Sequence, residues 1–201
     1  KPDAEEPLVS SCLRGYRSRP GPGMDSLTEI STDMVRIGRD DLRYPAGLAA
    51  FLGPEAPEWL FALGNLELLH REKLALFCSV RCPGRLMVQS YDLAHRLRES
   101  GLVLAGGFHS PMEREWLAVL LKGPSPVILC PARRLAKARL PLELRRPLER
   151  GRLLLLSPFS PSDHRATLDT ALFRNRVVAA LADLVFVAHA VAGGKTEQLC
   201  R

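Results

Sequence analysis

Residues 173–196 decide the fold: Phe173-Arg174-Asn175-Arg176-Val177-Val178-Ala179-Ala180-Leu181-Ala182-Asp183, then Leu184-Val185-Phe186-Val187-Ala188-His189-Ala190-Val191-Ala192-Gly193-Gly194-Lys195-Thr196. Phe173, Val177 and Leu181 recur every four residues, the spacing of one helix face. Arg174-Asn175-Arg176 rides on that helix. Residues 184–188 have the length and β-branched content of a strand buried on both faces. Gly193-Gly194 beyond it leaves backbone amides open to an anion, usually a phosphate. Helix, strand and phosphate-sized turn in that order predict a nucleotide-type site.

The same alternation extends upstream. Short apolar runs predict strands over 74–78, 102–105, 127–130, 153–156 and 184–188. Helical periodicity predicts helices over 86–100, 111–121 and about 164–183, with Gly101 stopping the first and Pro111 opening the second. Strands separated by helices specify an α/β fold, a parallel sheet with helices on both faces. Residues 24–72 are different. Tyr44-Pro45, Pro54, Pro57 and Leu63-Gly64-Asn65 predict short helical turns broken by prolines, a small lead-in packing on the core domain of 73–201. Residues 1–23, rich in Pro, Gly, Ser, Arg and Glu, are expected to be a disordered tail, and Met24 is a plausible natural start.

A parallel sheet gathers the loops after its strands at one edge, where ligands bind. Three loops are expected there. The first carries Ser79 and Arg81, the second Gly106, Gly107, His109 and Ser110, the third Gly193, Gly194, Lys195 and Thr196. Each combines glycine with the donor types a phosphate needs. Gly194-Lys195-Thr196 also invites a P-loop reading, but the motif wants glycine where His189 stands. Residues two apart on a helix point to nearly opposite sides, so Arg174 and Arg176 cannot both face one ligand. One is expected at the sheet edge, the other solvated or paired, with Asp169 or Asp183 as candidates. The stretch from Arg133 to Arg152 adds eight Arg and Lys against Glu143 and Glu149, a solvated linker or an electrostatic track for a nucleic-acid backbone.

Bulk properties narrow the classes. A net charge of +6 over 201 residues favours a polyanionic partner. Cys12, Cys78, Cys82, Cys130 and Cys200 form no zinc set and no Cys-x-x-Cys pair. Cys78 and Cys130 sit in apolar runs and read as buried thiols, which suits a reducing, cytoplasmic compartment. No run reaches the roughly 18 to 20 apolar residues of a membrane span, so no membrane partner is expected. Neither a metal nor a cofactor is called for.

Several of these segments resemble the DNA-processing protein A family (DprA, also called Smf). Tyr44-Pro45 and Leu63-Gly64-Asn65-Leu66-Glu67-Leu68-Leu69 resemble its lead-in. Ser79 and Arg81 resemble its Gly-Ser-Arg loop, with Cys78 in place of the glycine. Ala105-Gly106-Gly107 stands where the family has Ser-Gly-x-Ala-x-Gly, and residues 173–181 are similar to its Arg-Asn-Arg-Ile-Ile-Ala-Gly-Leu helix. The resemblance implies an extended Rossmann-like fold of the nucleotide-sensing (SLOG) group. It implies a phosphate- or nucleic-acid-binding module, leaning non-enzymatic, that takes single-stranded DNA through Arg81, Gly106, Gly107, Arg174 and Arg176 and serves DNA processing, uptake or recombination. A homodimer and a RecA-type recombinase partner are implied as well. By the family pattern another helix and strand are expected beyond the C-terminal residue.

The alternative is a nucleotide-binding sensor or enzyme. Gly193-Gly194-Lys195-Thr196-Glu197 resembles, one residue short, the Gly-Gly-x-Gly-Thr-x-x-Glu motif of lysine-decarboxylase-like phosphoribohydrolases. That resemblance implies cleavage of nucleoside monophosphates with Glu197 catalytic; Glu113 and Glu197 are the carboxylates beside the glycine loops, and a hydrolytic reading rests on them.

Overall fold

The computed structural model describes residues 31–135, 140–160, 162 and 165–201. The tail expected over 1–23 lies outside them. In chain order the elements are β1 (Ser31–Gly38), α1 (Ala46–Leu52), β2 (Trp59–Gly64), β3 (Lys73–Phe77), α2 (Gly84–Leu97) and β4 (Val103–Gly106). There follow α3 (Pro111–Leu120), β5 (Val127–Leu129), α4 (Leu142–Glu149), β6 (Leu153–Ser157), α5 (Leu168–Leu181), β7 (Leu184–Val187) and α6 (Lys195–Cys200). The strands form one sheet in the order β1-β2-β6-β5-β4-β3-β7. From β6 to β7 it is parallel, as expected, while β1 and β2 extend it antiparallel.

Strand side chains alternate between faces, and each face meets its own helices. Leu74 and Leu76 of β3 join Leu93, Leu97, Trp116 and Leu120 of α2 and α3 on one side. Ala75 and Phe77 join Leu48 of α1 and Val177, Val178 and Leu181 of α5 on the other. Each fully buried leucine of this kind, Leu104 and Leu154 among them, contributes about 2 kcal/mol relative to exposure. The long helix starts later than expected, at a capping box in which Thr167 and Thr170 each accept the other's backbone N–H.

Two differences from the sequence expectation have physical causes. The segment before residue 73 holds the expected short helix, α1, and 3-10 turns at Gly53–Glu55 and Leu66–His70, but also β1 and β2. Prolines at 54 and 57 mask β2 as a turn region, although neither lies inside the strand. β7, expected to be buried on both faces, is an edge strand with Leu184 51% and Val185 47% exposed. It pairs with β3 alone among the described residues. An apolar run reports what a strand can pack against and says nothing of its place in the order. At the start of β7, Asp183 accepts the Lys73 backbone N–H at 2.8 Å and lies 3.2 Å from the Lys73 ammonium. Asp183 is therefore spent on β3 and does not pair with either arginine of the triplet.

The strand order positions the site. From β3 the chain steps through β4 and β5 to β6 in one direction, then returns to place β7 on the other side of β3. The loops after β3 and β7 therefore diverge at a topological switch point, where open α/β sheets leave a crevice. No helix among the described residues is long and apolar enough to cross a membrane.

Candidate functional site

The carboxyl edge of the sheet opens onto a cleft of about 730 Å³. Gly107, His109 and Ser110 reach it from the loop after β4, Arg174 from α5, and Lys195 and Thr196 from the start of α6. Arg133, after β5, Thr167, at the start of α5, and Asn175 add to its polar lining. Three cations, Arg133, Arg174 and Lys195, thus face one carboxylate, Glu113.

Arg174 is the anchor, a cation only 3% exposed. Its guanidinium donates to the Cys130 carbonyl oxygen at 2.8 Å and, through Nε, to Asn175 Oδ1 at 2.8 Å. The fork lies against Gly107, where any Cβ would overlap it. That close approach is the physical reason for the second glycine of the Gly106-Gly107 pair. Burial lowers the Arg174 pKa, while the neighbouring Cys130 and Glu113 act to raise it. An arginine stays charged under such a pull, so the protein holds a desolvated positive charge at the sheet edge.

Glu113 ties the first two loops together. Its carboxylate accepts the Cys78 N–H at 3.0 Å and the His109 N–H at 2.8 Å, and Ser110 completes a capping box at the α3 N-terminus. Both oxygens are engaged by backbone donors, so the amides they cover are not available to an outside anion. Between them Phe108 sits at φ 48°, the left-handed region, with its ring against Gly106. For a buried aromatic residue that conformation costs about 1 kcal/mol or more.

The remaining expected residues serve other ends. Ser79 is buried and joins loops: its N–H donates to the His189 carbonyl and its Oγ accepts the Val191 N–H at 3.0 Å. Arg81 lines a neighbouring groove of about 440 Å³ with His189 and Met87. Gly106 ends β4, and its carbonyl accepts the Cys130 N–H. Gly193, at φ 69°, and Gly194 make the turn into α6, with the Gly193 N–H donated to Glu197 at 2.8 Å. Glu197 also lies 3.4 Å from Arg201 and is not among the residues lining the cleft. Arg176 points the opposite way and forms a bidentate pair with Glu55 at 2.5 and 3.1 Å, in place of the Asp169 or Asp183 partner expected.

Glu113 closes the second loop singled out from sequence, Asn175 belongs to the Arg174-Asn175-Arg176 triplet and Arg133 opens the basic stretch; the Cys130 carbonyl is what the sequence reading missed. Ser110-x-x-Glu113 is a capping-box signature and gives the glutamate a structural role at the α3 N-terminus; a backbone carbonyl leaves no such signal. Cys78 and Cys130 are buried as expected, and burial pushes both thiols up to about 12. Among the described residues no group of three or more His, Cys, Asp or Glu is placed to hold a metal ion.

The fold is similar to solved DNA-processing proteins. That of Streptococcus pneumoniae superposes with a TM-score of 0.68 at 24% identity, over 84% of this chain and 58% of its own. A structure of DNA processing protein A from Helicobacter pylori, determined for its single-stranded DNA binding mode, gives 0.65 at 19% identity, over 85% of this chain and 76% of its own. This chain thus spans little more than half the length of the pneumococcal protein. No curated protein matches it. The family model for DNA recombination-mediator protein A matches residues 36–196, from β1 to the turn that opens α6, and the chain belongs to that family.

Proposed function

We propose that the chain is a non-enzymatic module that binds single-stranded DNA, with the cleft lined by Gly107 and Arg174 taking backbone phosphate. The observation that carries this is Arg174, a buried guanidinium laid on a glycine at the carboxyl edge of the sheet. Arg133 and Lys195 border the same cleft, and the carboxylate there is already occupied by backbone donors. The net charge of +6 supports it, as does the DNA-binding relative from Helicobacter pylori. Phosphate contacts of this kind give affinity with little sequence preference and a strong salt dependence.

Fluorescence anisotropy with labelled oligonucleotides over a salt series tests it. Affinity should fall steeply as salt rises; no binding at low salt, or binding indifferent to salt, sinks the proposal. A cleft of 730 Å³ is also of the size that takes a single nucleotide, the alternative reading. Competition by nucleoside monophosphates at matched phosphate concentration separates the two, because a single nucleotide cannot reproduce a multi-phosphate contact. Release of free base from those monophosphates, lost in Glu197→Gln, would instead favour the phosphoribohydrolase reading. The proposal extends to a homodimer and to a RecA-type recombinase partner, checked by light scattering and by co-sedimentation with recombinase filaments. A reducing, cytoplasmic setting fits the buried thiols.

A further inference from the structure

The basic stretch from Arg133 to Arg152 carries no aromatic side chain on which a base could stack; the fold supplies one from β2. Leu60 and Ala62 of that strand face α1 and α5, so Trp59 and Phe61 take the opposite face, with Leu63. In β1, Arg36 and Gly38 lie opposite Phe61 and Trp59. The Trp59 indole rests against Gly38, where any Cβ would overlap it, and the Arg36 guanidinium stands over the ring at 4.1 Å from its centroid. Trp59 is 37% exposed, and Arg36 is exposed with it. Among the described residues Arg36 pairs with no carboxylate. Two planar groups, one of them an uncommitted cation, are stacked in the open.

The strand register ties this stack to the cleft. Phe61 lies opposite Ser157, the last residue of β6, so Trp59 stands beyond the carboxyl end of β6, on the edge where the cleft opens. The Ser157 hydroxyl donates at 2.9 Å to the carbonyl of Arg133, a residue that lines the cleft. From β6 to β1 is two strand spacings, about 10 Å.

We propose that the Arg36–Trp59 stack is a base platform: a DNA single strand whose phosphates enter the cleft passes Arg133 and lays a base on the stack. This rests on the single-stranded DNA reading of the cleft and adds a contact that phosphates cannot make. Every base has a π face, so an indole and a guanidinium plane accept any sequence. The platform also selects for single strands, because the faces of bases inside a duplex are already stacked on their neighbours.

The test uses the full chain and its two tryptophans. Trp116 is 2% exposed and donates to the Ser90 carbonyl, so quenching of tryptophan emission by DNA reports Trp59. Oligothymidylate of about twelve nucleotides, within the site sizes of aromatic-lined single-strand grooves, should quench that emission as it binds. An abasic strand of the same length should bind about tenfold more weakly in anisotropy and leave the emission unchanged. Trp59→Ala should lose the quenching and about tenfold in affinity for oligothymidylate, and Gly38→Ala, which displaces the ring, should weaken binding likewise. The abasic comparison needs no substitution, so a variant that fails to fold does not decide the matter. Equal affinity for the two strands, or emission unchanged when oligothymidylate binds, overturns the inference and leaves the cleft reading standing. No binding of either strand overturns both. A dimer of the free chain that Trp59→Ala dissolves assigns this face to a second copy and overturns the platform alone.

Discussion

Arg174 and Arg176 stand about 200° apart around the helix axis, and that separates a cation lining the cleft from one paired at the surface. Arg174 enters the protein and meets Cys130, Asn175 and Gly107, whereas Arg176 meets Glu55 at the surface. Arg174→Ala should weaken oligonucleotide binding by about tenfold or more, roughly 1.4 kcal/mol, and should leave the Cys130 carbonyl without its donor. Arg174→Lys should recover little, because an ammonium cannot reproduce a planar fork that bonds two acceptors at once. Gly107→Ala should match Arg174→Ala in anisotropy while keeping the arginine, since the added methyl takes the guanidinium's place. Arg176→Ala should leave affinity and unfolding midpoint unchanged, as exposed pairs contribute little. The buried thiols give a pH prediction. Cys78 and Cys130 are raised from 9.0 to about 12, so between those values the native state keeps protons that the unfolded chain releases. Their stabilisation is complete below pH 9 and is lost as pH rises toward 12. Denaturant unfolding from pH 8 to 11 should show that decline, and Cys130→Ala should make it shallower.

The junction of β4 with α3 fixes the relation between two loops through one carboxylate. Ser110→Ala removes one half of the capping box and should cost about 1 kcal/mol. Glu113→Gln should cost more, about 2 kcal/mol, because it disturbs the backbone donors of Cys78 and His109 together. Hydrogen exchange should then quicken over residues 78–83 as well as 107–110, a spread that Ser110→Ala should not show. The local half of this arrangement is legible in the sequence, since Ser110 and Glu113 are three apart. The reach from Glu113 to Cys78 spans 35 residues and depends on β3 and β4 being neighbours. The same distinction applies to the strands. Apolar length located β3 to β7, but a strand's place in the order is a tertiary property, and β7 fell at an edge. Val185→Lys should therefore leave the unfolding midpoint nearly unchanged, whereas Val178→Lys, at a fully buried site on α5, should abolish folding.

Across the whole molecule, the parallel direction of β3 to β7 was legible from alternating strand and helix patterns. That shared direction alone brings glycine loops distant in the chain to one edge. How the edge divides was not legible, because the split into a 730 Å³ cleft and a 440 Å³ groove depends on which side chains lean which way. Arg81 and Arg174, grouped by motif, occupy different cavities. Charge follows the same division and can be read out as counterion release. For single strands each neutralised phosphate contributes about 0.7 to the slope of log affinity against log salt. If Arg133, Arg174 and Lys195 each meet a phosphate, the cleft supplies a slope of about −2. Alanine at any one of them should reduce the slope by about 0.7, and alanine at Arg176 should leave it unchanged. The basic residues of α4 offer a rival track, through Arg145 and Arg146. Should their removal flatten the slope while the three cleft variants retain it, the DNA backbone runs over α4 and the cleft serves something smaller.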